Sequence, residues 1–219
     1  MRRRGVMRRA VLWTVLAALS PTLCVAAQQW EVGGAGGFGW YEDASIRNAS
    51  VSAQAGPKNS FALSAMFDQD MYNYVGGEIR YMFRNGQPEL RSNGIVVSGS
   101  GYANAVTYDL LVYTSPRESK IRPFVAGGAG IKVYSSTNRL DVNQPLADFA
   151  LLTRLNQVEP AISVGGGLKW MFSRHAVFRL DLRTLMTPLP DRVFRPTGLS
   201  RIHGWLFDFV PLAGVSYSF

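Results

Sequence analysis

Cysteine, histidine and long apolar runs are all scarce in this chain of 219 residues, which has one cysteine, Cys24, and two histidines, His175 and His203. A single thiol excludes a disulfide framework and a cysteine-ligated metal centre. Two histidines far apart in sequence leave no transition-metal cluster, so no cofactor is expected. After residue 27 no apolar run reaches the ~18 residues that mark a spanning helix. Charge of one sign is scarcer than it first looks. The formal charge of +8 sets 23 Lys and Arg against 15 Asp and Glu, but five of those bases are Arg2, Arg3, Arg4, Arg8 and Arg9. Without them 18 bases face 15 acids, a net of +3, and the main support for a nucleic-acid partner is gone.

Those arginines open a segment with a purpose of its own. They precede the short apolar core Val11–Leu19, and Val25-Ala26-Ala27 follows as a small-residue cleavage site. This is the three-part pattern of a secretory signal peptide, so residues 1–27 are expected to be removed and 28–219 to form one domain. Leu23 is too bulky for the position before an acylated cysteine, which argues against lipidation at Cys24.

What is abundant is alternation. Eight segments read at period two: 29–41, 59–68, 73–84, 103–114, 122–134, 158–171, 176–187 and 204–219. Each is near the ~9–11 residues of a tilted membrane-spanning strand. Short connections at Asp68–Met71, Ser115–Lys120 and Ser173–His175 alternate with longer ones at 42–58, 85–102, 135–157 and 188–203. Short turns on one side and long loops on the other orient an all-β, eight-stranded, antiparallel up-and-down transmembrane barrel, both termini on the periplasmic side.

The two faces of each segment differ in kind. Val75, Ile79, Tyr81 and Phe83 alternate with Tyr74, Glu78, Arg80 and Arg84; Phe178, Leu180 and Leu182 alternate with Arg179, Asp181 and Arg183. Ile162, Val164, Leu168 and Trp170 oppose Glu159, Ser163 and Lys169, while Asp109, Lys132 and Asp208 stand alone among apolar neighbours. A charge on the lipid face costs about 2–4 kcal/mol at the midplane, so the charged face is the inner one. Glu31, Glu78, Asp109, Glu159, Asp181 and Asp208 then meet Arg80, Arg84, Lys132, Lys169, Arg179 and Arg183, six against six. An eight-stranded barrel has room inside only for side chains, and charges held there must pair. The expectation is an ion-pair network that plugs the lumen; the alternative is a narrow conduit for small or hydrophobic solutes.

Glycine crowds three segments, at 33–39, 127–130 and 165–167. Gly34, Gly36 and Gly39 satisfy a dinucleotide-binding spacing, but no amphipathic helix follows, and strand curvature explains them better. Trp30, Phe38, Trp40, Tyr41 and Trp205 suit interfacial girdles. Pro160 and Pro211 lack an amide donor inside segments read as strands, so each should mark a rim, a bulge or a local break in pairing. Residues 145–152 read as a short loop helix starting at Pro145, or else as an extension of the next strand.

On these features the chain resembles the small outer-membrane β-barrel superfamily of Gram-negative bacteria, the group that includes the membrane domain of outer membrane protein A. The likeness rests on the export signal, the Gly-rich first strand, the alternating connections and the terminal Tyr217-Ser218-Phe219. It implies an outer-membrane location and lipid and lipopolysaccharide as surroundings. It also implies that the barrel-assembly machinery reads Val215, Tyr217 and Phe219, and that long loops of a monomer meet an unknown extracellular partner. With the chain stopping at Phe219, the cell-wall anchoring of two-domain members is not expected. Lipid A deacylases on similar barrels use a Ser/His/acid set; Ser200, His203 and Asp191 supply the types, but Ser200 and His203 differ in parity. His175 has no catalytic partner nearby, and no enzyme is expected. Glu42-Asp43 and Asp68-Gln69-Asp70 are read as solvated turn charges and not as calcium sites.

Overall fold

In the computed structural model the described residues are 29–42, 44–48, 51–86, 88–92, 95–98, 100–136, 150–152, 156–188, 194–196, 201–202 and 204–219. Eight long strands form where the alternation is: β1 Gln29–Glu42, β2 Ser60–Tyr72, β3 Val75–Arg84, β4 Gly101–Tyr113, β5 Ile121–Ser136, β6 Asn156–Met171, β7 Ala176–Pro188 and β8 Trp205–Ser218. Each pairs antiparallel with its neighbours in sequence, and β1 pairs with β8, so the sheet closes. Closure leaves no free edge among these eight strands, so each finds ladder partners on both sides within the wall. The segment read as a signal peptide lies outside the described residues.

The first short turn is displaced from its expected place. β2 runs on through Asp68, Asp70 and Tyr72, and the chain reverses at Asn73-Tyr74, with a register shift between Asp70 and Tyr72. Tyr74 is therefore exposed in a turn and does not face inward. Asp68 and Asp70 are buried, not solvated. The long connections also carry pairing of their own. Segments 201–202, 44–48, 51–57, 88–92 and 95–98 make a five-stranded sheet beyond the barrel rim, and 150–152 pairs with 194–196. Residues 150–152 are thus extended, against the helical reading of 145–152, because pairing with Phe194–Pro196 satisfies their backbone. Residues 145–149 of that reading lie outside the described residues.

The prolines sit where pairing is already incomplete. β6 meets β7 only from Ile162 onward, so Pro160 stands at the rim of that ladder. Pro211 keeps its place opposite Leu182 on β7, but toward β1 the paired register skips from Gly37–Leu212 to Trp40–Phe209. The dinucleotide-like glycines all lie in β1, an extended strand paired on both sides. Two other glycines are needed for close approach. A Cβ on Gly130 would lie 1.9 Å from the Val106 carbonyl oxygen, and one on Gly128 would lie 2.0 Å from that of Tyr108. β4 and β5 could not keep their spacing with a side chain at either point.

Outward residues form an apolar belt bounded by rings. Trp30 stacks on Phe67 near the end where β1 begins, β8 ends and the short turns lie, hereafter the turn end. Trp40, Phe209, Phe61, Phe83 and Tyr102 gather at the opposite, loop end. Ten residues separate Trp30 from Trp40, about 33 Å along a strand and about 25 Å along the axis at a tilt of ~40°, the height of an outer-membrane apolar band. Tyr41, assigned by sequence to this girdle, is instead buried in the lumen, because it follows Trp40 and so takes the opposite parity. Substituting Gly130→Val should cost at least the ~1–3 kcal/mol typical of overpacking, and more if the strands separate. The heat-sensitive folded band of unboiled protein on a gel should weaken or vanish, whereas Gly127→Ala, where a Cβ meets nothing within 4 Å, should leave it intact.

Candidate functional site

The lumen is the one place where polar chemistry converges among the described residues. Every strand alternates one side chain in and one out, and along the inner face most follow a similar order. β3 runs Glu78, Arg80, Met82, Arg84 from turn end to loop end; β7 runs Arg179, Asp181, Arg183, Leu185, Thr187; β8 runs Ser218, Ser216, then Leu212, Val210, Asp208. Closing such strands into one cylinder stacks a charged layer, an apolar layer and a second charged layer.

Glu78 centres the larger charged layer. Arg80 Nε and Arg183 Nη2 both reach its Oε1 at 2.7 Å, and Arg179 Nη2 reaches Oε2 at 2.7 Å. Arg80 also donates to Asp181 at 2.7 Å. Arg179 bonds Asp68 and contacts Glu31 at 3.4 Å. Lys169 Nζ bridges the same two carboxylates, 2.6 Å from Asp68 and 2.9 Å from Glu31, and the Ser216 hydroxyl donates to Glu31. Asp109 takes the Thr107 hydroxyl at 2.9 Å and lies 3.5 Å from Arg183. Nearest the turn end, Arg122 pairs with Asp70 at 2.6 Å.

Above this layer lies a dry belt of Ala35, Ala62, Met66, Met82, Ala105, Leu185, Val210 and Leu212, all buried in one cluster. Beyond it Asp208 accepts from Lys132 at 2.7 Å and pairs with Arg84 at 3.1 Å. Lys132 also donates to the Tyr41 hydroxyl at 3.2 Å, Arg84 donates to the Ser60 carbonyl at 2.8 Å, and both cations lie over the Tyr41 ring. Tyr134 and Thr187 share a 2.7 Å hydrogen bond at the same level.

Eleven of the twelve charges assigned to the lumen by sequence are buried there. Glu159 is half-buried at the loop-end rim, where Gln157 donates to it. Its register neighbour Lys132 turns to Asp208 instead. Sequence reading missed Asp68, Asp70, Arg122 and Tyr41. The first two share the even parity of Met66 and Ser64, and Arg122 shares that of Phe124 and Lys132, so carrying the period through the supposed turns would have found them. With them, among the described residues seven buried acids (Glu31, Asp68, Asp70, Glu78, Asp109, Asp181, Asp208) face seven buried bases (Arg80, Arg84, Arg122, Lys132, Lys169, Arg179, Arg183). That equality lets so many ions leave water together.

The other assigned residues stand apart from the lumen. Val215, Tyr217 and Phe219 face outward and are exposed; Phe219 and Trp30 exchange backbone hydrogen bonds of 2.9 and 3.2 Å where β8 meets β1. His175 lies in the turn after β6, its Nδ1 2.9 Å from the Ser218 carbonyl and its ring stacked on Tyr217. Asp191, Ser200 and His203 lie outside the described residues, as does Asp43. Among the described residues no group of three or more His, Cys, Asp and Glu is placed to hold a metal.

No family model and no curated protein matches the sequence. Solved structures do match. Neisserial surface protein A is 10% identical with a TM-score of 0.50, over 87% of this chain and 97% of that one. Outer membrane protein OprG from Pseudomonas aeruginosa is 16% identical with a TM-score of 0.51, over 86% and 95%. The outer membrane protease OmpT from Escherichia coli is 11% identical with a TM-score of 0.50, over 88% and 97%. At such identities the likeness is one of fold, and the chain has the closed antiparallel β-barrel fold of outer-membrane proteins.

Proposed function

We propose that the protein is a monomeric outer-membrane barrel with a closed lumen that acts as a structural or interaction protein, not as an enzyme. The layered lumen carries this reading. Among the described residues two ion-pair layers are separated by a belt of methionine, leucine, valine and alanine from six of the eight strands, which supports a lumen without a continuous polar path. An ion crossing that belt would shed its hydration with no charged partner there, a cost of several kcal/mol. The fold, an apolar band of about 25 Å and the export-like residues 1–27 together support an outer-membrane location.

In this reading the turn end faces the periplasm and the loop end faces outward. The outward apolar belt sits in lipid and lipopolysaccharide, and Val215, Tyr217 and Phe219 present the assembly machinery with a terminal strand of exposed alternate side chains. The five-stranded sheet beyond the loop end is the surface offered to an extracellular partner. The narrow-conduit alternative makes the opposite electrical prediction.

In planar bilayers the purified protein should give no reproducible conductance steps; regular steps would replace the closed lumen with a conduit. Arg179→Ala and Asp181→Ala should each lower the thermal unfolding temperature markedly, since removing one partner of a buried pair costs about 3–5 kcal/mol. Two unchanged transitions would remove the network from the account of stability.

A further inference from the structure

The closed lumen is not solid throughout. At the turn end a small cavity with room for about one water molecule is lined by Glu31, Asp68, Asp70, Arg122, Lys169 and Gln29. Three buried polar atoms of its lining residues have no hydrogen-bond partner: Asp68 Oδ1, Asp70 Oδ1 and Arg122 Nε. Two are acceptors and one is a donor, a set that one water molecule can serve. The charges say the same. Glu31, Asp68 and Asp70 face Arg122, Lys169 and Arg179, three against three, so the site has no deficit for a cation or anion to fill.

The β4–β5 turn lies across the way in. Residues 114–120 leave β4 beside Tyr113, and Arg117 Nε donates to Gln29 Oε1 at 3.1 Å, spanning 88 positions to reach the first residue of β1. The Met171 amide donates to the Lys120 carbonyl at 2.8 Å, fixing the other end of the turn to β6. Gln29 thus lines the cavity and also accepts a side-chain hydrogen bond from the strap across the mouth.

We infer that the periplasmic end of the lumen is a water-binding vestibule, closed by the 114–120 strap and ending at the dry belt, so that water reaches the buried charges from one side only. The inference uses the closed-lumen reading for its upper boundary alone. The strap's side-chain bond is part-buried and ordinary in strength, whereas the belt is held by packed apolar side chains from six of the eight strands.

Cysteine oxidation separates the two barriers. In the full chain carrying Cys24→Ser, Val177→Cys reports on the cavity, which Val177 lines, and Ala105→Cys reports on the belt. Hydrogen peroxide, a probe close to water in size, is applied to protein whose heat-dependent gel shift matches the parent, and oxidation of the introduced thiol is read by mass spectrometry. Val177→Cys should react slowly, and about fivefold faster when Arg117→Ala removes the strap bond, the change expected for one such hydrogen bond. Gln29→Ala should act alike without altering the strap itself. Ala105→Cys should stay unoxidised in every background. A Val177→Cys that never reacts, or reacts at a rate indifferent to both strap variants, would overturn the vestibule and leave the closed lumen standing. Oxidation at Ala105→Cys would overturn both.

Discussion

Fourteen buried charges inside a cylinder too narrow for bulk water must neutralise one another, and the remainder of the structure is arranged around that requirement. A lone ion in such a space costs several kcal/mol, so acids and bases have to match in number and in reach. Glu78 shows how reach is achieved: three guanidiniums from β3 and β7 converge on one carboxylate, and each guanidinium goes on to a second acid. Arginine suits this use because its planar fork serves two carboxylates at once. Lys132 and Lys169 take positions where one point charge bridges acceptors on different strands.

The wall has to accommodate these long side chains. Where the lumen is crowded the strands carry glycine: Gly39 lies against the Arg84 guanidinium, Gly165 against the Arg183 side chain and Gly167 against the Asp181 carboxylate. Space removed from the wall is thus occupied by the ion-pair network. On the outer face the requirement reverses, and valine, leucine and aromatic residues cover the wall because only apolar groups are tolerated in lipid. Period two lets one strand meet both demands without conflict.

Much of this was legible in the sequence, for a physical reason. Inside or outside is a property of parity, which any eight-residue stretch displays, so the strands and the buried charges of β3, β7 and β8 could be read directly. The errors cluster where parity is reset or carried too far. Asp68 and Asp70 look like a hydrophilic turn, but their partners Lys169, Arg179 and Arg122 turn a costly burial into a tolerable one. Tyr74 fell on the wrong side because a two-residue turn interrupts the alternation. Residues 150–152 looked helical when read alone, and their pairing partner lies more than forty positions away.

Local alternation in the chain is enough to specify eight strands with one charged and one apolar face. A soluble sandwich would share that pattern, and it is the export-like start and the aromatic terminal strand that favour a barrel. Which charge meets which was decided by tertiary structure alone. Arg179 and Glu31 stand 148 positions apart, and Lys132 and Asp208 stand 76 apart. Their meeting depends on the stagger of the strands at closure, which no local period records. The same stagger brings Ala35, Met66, Met82, Ala105, Leu185 and Val210 together, and so creates a dry belt from residues that in sequence are scattered inward-facing positions on six strands.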